Sequence, residues 1–132
     1  MIFVDASAMI ALIIGEADAD DLVDRLARDP QRSCSALSVW ETVAGLCRSH
    51  GLAVPAADRL VRSFLDFNDI AFIDMGETQY GAAIQAYARF GKGRHPAGLN
   101  MGDCFAYACA KTQGATLLFK GDDFPQTDIQ AA

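Results

Sequence analysis

The sequence has few histidines and no paired cysteines, and these absences exclude several kinds of protein. His50 and His95 are its only histidines, and its four cysteines show no Cys-x-x-Cys spacing, so a structural zinc site is not expected. The shortage of histidine also argues against a hydrolase built on a Ser-His-Asp triad. We therefore expect free, buried thiols in a reducing compartment, which predicts a cytoplasmic protein.

Long apolar runs are also missing. No run approaches the roughly 20 residues that a membrane-spanning helix needs. The opening residues, Met1 to Asp5, lack the positive segment that is typical of a secretory signal. Internal repeats, low-complexity tracts and linkers are absent as well. We expect no membrane association and a single domain over residues 1–132.

The composition is that of a folded globular chain, with 52% hydrophobic and 21% charged residues. The net charge of −6 argues at first against a nucleic-acid partner, because affinity for phosphate normally comes from Lys and Arg. The basic residues are unevenly distributed, however, and several fall between Arg89 and His95. A bound metal would also cancel part of the acidic charge. Local charge therefore outweighs net charge in this sequence.

Short apolar runs alternate with segments of helical periodicity. This alternation predicts an α/β fold, a parallel sheet of four or five strands with helices on both faces. The sites of such sheets form at the carboxyl ends of the strands. The predicted strands are Ile2–Val4, Ser33–Ser35, Ile70–Ile73 and Thr116–Phe119, with an optional edge strand after Thr127. The predicted helices start near Ser7, Ala17, Leu37, Pro55, Glu77 and Gly102.

Acidic residues follow the strands or lie on the helices after them. Asp5 ends the first strand, Glu41 lies on the helix after the second, and Asp122 and Asp123 follow the last. Asp103 is the only charge between residues 99 and 110. Carboxylates that converge in one pocket repel each other and lose hydration, so they need a cation. Mg²⁺ prefers such oxygen ligands and keeps waters for a phosphate substrate. The pattern predicts metal-dependent phosphodiester chemistry.

Each acid also has a purely structural interpretation. Asp5 can cap the first helix, and Asp122 and Asp123 can belong to a turn. If Asn100 caps its helix, Asp103 stands at the third position, where a carboxylate meets free backbone amides. Asp103 is still the strongest candidate, because its helix is apolar nearly all round and no neighbouring base pairs with it. Glu41 and the acids from Glu16 to Asp24 are typical of solvated helix surfaces, and we assign no site to the latter group.

A Gly-rich basic loop runs from Gly91 to Gly98. Its segment Gly91-Lys92-Gly93 follows a predicted helix and lacks the third glycine of the GxGxxG spacing, so it is not a dinucleotide fingerprint, and it is no P-loop either. Lys92 and Arg94 in this loop, with Lys120 after the last strand, are candidates for contacts with substrate phosphates. A solvated surface loop is the alternative.

Four segments together resemble the PIN-domain ribonucleases. Phe3–Ala8 is similar to the opening of that family, Trp40–Thr42 to its second acidic motif, and Leu99–Phe105 and Leu118–Phe124 to its third and last. The resemblance covers essentially the whole chain. Within the family it is strongest to the VapC toxins of type II toxin–antitoxin pairs, a subgroup of which has segments similar to Phe90–His95.

The resemblance implies an endoribonuclease that depends on Mg²⁺ or Mn²⁺ and cleaves structured RNA, often tRNA or ribosomal RNA. It also implies a homodimer that is neutralised by a small VapB-type antitoxin. By motif, Asp5 and Asp103 would bind the metal and Ser7 would orient Asp5 or the ion. Glu41 would act through water or a second metal, and either Asp122 or Asp123 would supply the last acid.

Hydrolysis by a metal-activated water is the mechanism expected on this interpretation, with Glu41, Asp122 or Asp123 orienting that water. Two other classes of function are open. A phospho-acceptor signalling domain would also have an acidic Mg²⁺ pocket, with Asp74 as the acceptor and Lys120 after the last strand. A non-catalytic protein-binding module would use the acids only as caps and turn residues.

Overall fold

The computed structural model describes residues 1–132. Strands and helices alternate through most of the chain. The strands are β1 (Ile2–Val4), β2 (Arg32–Ser35), β3 (Ile70–Ile73) and β4 (Thr116–Leu118). The helices are α1 (Ala6–Ile14), α2 (Ala19–Leu26), α3 (Ala36–His50), α4 (Val54–Phe67), α5 (Glu77–Phe90) and α6 (Met101–Gln113), and a short 3-10 helix covers Phe124–Gln126.

The four strands form one parallel sheet in the order β3-β2-β1-β4. This confirms the predicted α/β fold with four strands. The optional edge strand after Thr127 does not form, because only one bridge, Leu117 to Ala131, pairs this region with β4. Asp128 is instead held by the Tyr107 hydroxyl and the Arg89 guanidinium, which draws the segment towards α5 and α6.

Helices cover both faces of the sheet, and the strand residues alternate between them. Phe3 and Leu117 point into one core, which α5 and α6 complete with Phe90 and Tyr107. The adjacent strand residues, including Val4, point into a second core formed with α1 to α4. β1 is a central strand with a hydrogen-bonded strand on each side, so its carboxyl end lies between those of β2 and β4.

Local signals set the helix boundaries that position the acidic residues. Ser35 caps α3 in a reciprocal pair of hydrogen bonds with Ser38. The helices α1, α3 and α6 each end at a glycine with a left-handed backbone. Asp5 caps the start of α1, Glu41 lies within α3, and Asp103 lies in the first turn of α6. In none of the six helices is there a stretch of enough length and hydropathy to span a bilayer.

Candidate active site

Asp5 lies at the carboxyl end of the interior strand β1 and caps α1. Its side chain is only 4% exposed. Asp5 Oδ2 accepts hydrogen bonds from the Ser7 backbone N–H at 3.0 Å and from the Ser7 hydroxyl at 2.5 Å. The Ser7 hydroxyl oxygen in turn accepts a hydrogen bond from the backbone N–H of Lys120 at 3.0 Å. Ser7 therefore links Asp5 to the segment that follows β4.

Burial raises the pKa of the Asp5 carboxyl group above its usual range, and the hydrogen bonds from Ser7 offset only part of that rise. No Lys or Arg forms an ion pair with Asp5. The second carboxyl oxygen, Oδ1, accepts no hydrogen bond from another side chain, and Asp5 lines an open polar cleft. Ser7 therefore orients one carboxyl oxygen of Asp5, and the other oxygen has no side-chain partner.

Asp103 stands at the third position of α6, in a reciprocal capping pair with Asn100. Asn100 N–H donates to Asp103 Oδ2 at 3.1 Å, and Asp103 N–H donates to Asn100 Oδ1 at 2.9 Å. The structural interpretation of this aspartate is therefore present in the fold. Burial nevertheless raises the pKa of Asp103 to about 6, and the charges of Asp5 and Asp123 contribute to the rise. Asp103 thus both caps its helix and faces other acids.

Glu41 is half-buried on α3 and makes no hydrogen bond or ion pair with another side chain. Burial raises the pKa of its carboxyl group to about 7, with further contributions from the charges of Asp5 and Asp103. The sequence pattern treated this glutamate as a solvated helix residue when considered alone. The fold instead brings it within electrostatic reach of two other acids.

The segment after β4 contributes Asp122 and Asp123, and the two residues have different surroundings. The charge of Asp123 raises the pKa of Asp103, whereas Asp122 is not among the groups that perturb the other three acids. Gly121 before them has a φ of +115°, a left-handed conformation that other residues adopt only with strain. Phe124 after them is buried and packs on Phe119, with ring centroids 5.1 Å apart. A glycine turn and an aromatic anchor therefore fix the direction of this segment.

These residues surround an open, mostly polar cleft of about 300 Å³. Its lining residues are Asp5, Ser7, Asn100, Asp103, Lys120, Gly121, Asp122, Asp123 and Phe124. Glu41 approaches from the α3 side and is not part of this lining. Larger clefts exist between the helices, among them one of about 470 Å³ beside Trp40 and Val54, but none of their residues is a carboxylate that faces another acid.

The basic candidates lie apart from this cleft or are already paired. The ammonium group of Lys120 forms ion pairs with Glu16 and, at 3.1 Å, with Asp18. Those two acids were expected only to be solvated. Nothing in the sequence pattern could have revealed the pairing, because Lys120 lies 104 positions beyond Glu16.

Lys92 and Arg94 are exposed in the loop after α5 and do not line the cleft. The guanidinium carbon of Arg94 lies 5.0 Å from the centre of the Tyr87 ring. Arg94 therefore rests on an aromatic face and forms no ion pair.

The donors fit a divalent cation that is held by few protein ligands. No group of three or more His, Cys, Asp and Glu side chains is gathered closely enough to form a complete metal cage. Mg²⁺ commonly needs only one or two carboxylates and keeps several waters. Asp5 and Asp103 are two such carboxylates. The charge of Asp5 raises the pKa values of Glu41 and Asp103, and neither Asp5 nor Asp103 forms an ion pair with a Lys or Arg. A bound cation would relieve this repulsion between carboxylates.

The strand order excludes the phospho-acceptor alternative. Such a domain needs its acceptor at the end of the third strand, beside the acids that follow β1. Here β1 pairs with β2 and β4, and β3 lies at the far edge of the sheet. Asp74, which follows β3, does not line the acidic cleft.

Comparisons with known proteins agree with this geometry. The family model described as PIN domain matches residues 2–130. The chain is 41% identical over 128 residues to a Ribonuclease VapC of Mycolicibacterium smegmatis, covering 97% of each chain. It is 41% identical over 130 residues to Ribonuclease VapC42 of Mycobacterium tuberculosis, covering 98% of this chain and 97% of that protein.

Solved structures share the fold at low sequence identity. The crystal structure of Mycobacterium tuberculosis VapC20, described as a toxin that cleaves the sarcin-ricin loop, has a TM-score of 0.77 at 20% identity and covers 100% of this chain and 98% of that one. The VapBC-1 structure from nontypeable Haemophilus influenzae has a TM-score of 0.73 at 16% identity, with coverage of 100% and 97%. These likenesses support the fold.

Proposed function

This chain belongs to the PIN-domain family and, within it, to the VapC ribonucleases, and we propose that it is a metal-dependent endoribonuclease, the toxin of a type II toxin–antitoxin pair. One observation of the fold carries the proposal. Four acids from separate parts of the chain come together near the carboxyl end of β1: the charges of Asp5 and Asp103 raise the pKa of Glu41, and those of Asp5 and Asp123 raise the pKa of Asp103.

In this proposal Asp5 and Asp103 bind the cation, Mg²⁺ or Mn²⁺. The bound cation supplies a Lewis acid that lowers the pKa of a water and offsets charge on phosphate oxygens. Ser7 fixes the orientation of the Asp5 carboxylate through its two hydrogen bonds. The role of Ser7 is therefore to hold one ligand in place before the substrate arrives.

Glu41 orients the attacking water and accepts its proton. The Glu41 carboxyl group makes no hydrogen bond or ion pair with another side chain, so it is free to accept that proton. The water oxygen forms a bond to phosphorus, and the bond from phosphorus to the 3′ oxygen of the ribose breaks. The departing 3′ oxygen takes up a proton. The products carry a 5′-phosphate and a 3′-hydroxyl.

Asp123, rather than Asp122, supplies the acid of the last motif in this proposal. Its charge acts on Asp103, while the backbone carbonyl of Asp122 accepts a hydrogen bond from the Gln126 side chain in the turn. Asp123 is exposed, so it stands where substrate or a second cation would enter.

Arg94 and Lys92 are the proposed contacts for phosphates of a structured RNA, tRNA or ribosomal RNA. Both are exposed and neither forms an ion pair, so binding an RNA phosphate breaks no existing ion pair. Lys120 is a weaker candidate for a phosphate contact than these two residues, because it already forms ion pairs with Glu16 and Asp18. Its proposed role is to tie the segment after β4 to the end of α1.

A VapB-type antitoxin and a second copy of the chain are the proposed protein partners. The fold leaves apolar side chains exposed on both of its layers, with Trp40 68% and Phe67 88% exposed on one and Tyr80 58% and Met101 66% on the other. Exposed apolar surface of this kind is typical of protein interfaces. Light scattering of the chain alone and after co-expression with a candidate antitoxin would measure both associations.

The test is cleavage of end-labelled tRNA and ribosomal RNA by the purified protein with Mg²⁺ or Mn²⁺, with EDTA and Asp5→Asn as controls. Asn caps helices about as well as Asp, so Asp5→Asn should fold normally. The proposal expects metal-dependent cleavage that leaves 5′-phosphate ends and disappears in Asp5→Asn. Products with a 2′,3′-cyclic phosphate would contradict it, since they require the ribose 2′ oxygen as the nucleophile.

The reciprocal capping pair of Asn100 and Asp103 supports a second candidate, a non-catalytic protein-binding module whose acids are only caps. Metal binding separates the two candidates. An increase in melting temperature with Mn²⁺ that is lost in Asp103→Asn supports the nuclease, and no increase in the wild type supports the module.

A further inference from the structure

The carboxyl group of Glu41 occupies the space that a side chain at position 102 would need. A Cβ atom on Gly102 would overlap the Glu41 carboxyl carbon and Oε2, and even Oε1 would lie only 2.5 Å away. Gly102 is itself buried, in the first turn of α6 and directly before Asp103. The α3 glutamate therefore rests against the bare backbone at the start of α6.

The backbone of Gly102 gives no other reason for a glycine. Gly102 is not among the glycines with a positive φ and lies within a regular helix. A glycine in a helix is less favourable than alanine, because its backbone loses more freedom on folding. A conformational requirement thus cannot explain this residue, and the close approach of Glu41 can.

Nothing else in the fold fixes the Glu41 carboxyl group. It makes no hydrogen bond or ion pair, so packing alone determines where it points. The first turn of α6 presents the positive end of the helix dipole, which attracts a carboxylate. The space above Gly102 therefore sets how closely Glu41 can approach Asp103 and Asp5.

We propose that Gly102 is a positioning residue, which admits the Glu41 carboxyl group to the first turn of α6 and so places it beside Asp103. The inference rests on the proposed function for the role of Glu41, but the contact itself does not. An alanine at position 102 would push the flexible end of the Glu41 side chain away from the first turn of α6.

Gly81 is a matched control. It also lies within a helix, α5, and a Cβ atom there would meet no atom within 4 Å. Gly81→Ala removes the same backbone freedom without displacing any neighbour. It should raise the melting temperature and leave the cleavage rate unchanged.

The test combines Gly102→Ala with Glu41→Ala in a double-mutant cycle, using the melting temperature of the metal-free protein and the rate of RNA cleavage. In the wild-type background, we expect Gly102→Ala to reduce cleavage at least tenfold and to change the melting temperature differently from Gly81→Ala, because it also displaces the Glu41 carboxyl group. In the Glu41→Ala background, the same change should raise the melting temperature, as Gly81→Ala does, and reduce cleavage no further.

Equal effects of Gly102→Ala in both backgrounds would overturn the proposal, since they would show that the residue does not act through Glu41. If Gly102→Ala fails to fold, recovery of a cooperative transition in the double variant supports the proposal, and no recovery overturns it. If the wild type cleaves no RNA, the proposed function fails, whereas the cycle of melting temperatures still tests the contact.

Discussion

The hydroxyl group of Ser7 donates a 2.5 Å hydrogen bond to Asp5 Oδ2, and the backbone N–H of Ser7 donates to the same oxygen. The Ser7 hydroxyl oxygen also accepts the backbone N–H of Lys120. One small side chain therefore joins the acid at the end of β1 to the backbone that follows β4. The link holds together the segments after β1 and β4, both of which line the cleft.

Replacing Ser7 by alanine removes the hydroxyl bond and leaves the backbone bond to Asp5 in place. We expect weaker Mn²⁺ binding and a cleavage rate lower by about 10- to 100-fold, the usual cost of losing an outer partner of a metal ligand. Ser7→Thr keeps the hydroxyl group and should retain most activity. Titration calorimetry with Mn²⁺ provides the check, and an unchanged dissociation constant in Ser7→Ala would refute the orienting role.

Asp122 and Asp123 form a natural pair of test and control, because they are adjacent, exposed and chemically identical. Of these two aspartates, only Asp123 has a charge that raises the pKa of Asp103. We expect Asp123→Asn to reduce cleavage by at least about tenfold and Asp122→Asn to remain near the wild-type rate. Initial rates at saturating Mg²⁺ measure both, and the opposite ranking would assign the last acid to Asp122.

The acidic cluster should make the metal-free protein less stable as the pH rises. The pKa of Glu41 is raised from 4.5 to about 7 and that of Asp103 from 3.8 to about 6, so the folded state binds protons more tightly than the unfolded chain. Stability contributed by these two groups is therefore present at low pH and is lost as the pH rises through the folded values, near 6 to 7.

The melting temperature of the metal-free protein should consequently fall between about pH 4, near the unfolded pKa values, and about pH 7, near the folded pKa of Glu41, and should fall less steeply in Glu41→Gln. Saturating Mn²⁺ should reduce this fall, since metal binding strengthens as its ligands lose protons. Identical pH profiles for wild type and Glu41→Gln would show that the glutamate does not titrate in this range.

The two kinds of basic residue should behave differently towards RNA. Arg94→Ala should raise the KM and reduce the slope of log affinity against log salt by about 1, the effect expected for one lost phosphate contact. Lys120→Met should leave that slope unchanged, because Glu16 and Asp18 already pair with this lysine. Filter binding at several salt concentrations with catalytically inactive Asp5→Asn protein measures the slopes, and a reduced slope for Lys120→Met would restore it as a phosphate contact.

Most of the fold could be predicted from local sequence signals. The strand Ile70–Ile73 has the predicted boundaries and the next helix starts at Glu77 as predicted, because an apolar run is followed by a turn and then by helical periodicity. Three of the helices end at a glycine, which is a common local signal for a helix end. The predicted edge strand after Thr127 was wrong, because a single bridge joins Leu117 to Ala131 and Asp128 contacts Tyr107 and Arg89 on the neighbouring helices.

The geometry of the site was harder to predict from the sequence, because it depends on contacts between distant segments. The sequence identified the acids but left Asp122 and Asp123 equivalent, and only the turn after Gly121 gives them different surroundings. It also gave no sign that Lys120 pairs with Glu16 or that Glu41 rests on Gly102. Both relationships join residues from different elements, which periodicity along the chain cannot relate.

The rate of RNA cleavage as a function of Mn²⁺ concentration, in wild type and Asp103→Asn, tests most directly whether these carboxylates form a catalytic metal site. Asn at position 103 can still accept the hydrogen bond from Asn100 and keep the helix cap. The account predicts a saturable rise in the wild type and a rate at least about 100-fold lower in the variant, more than outer partners cost. Superimposable curves for the two proteins would contradict it.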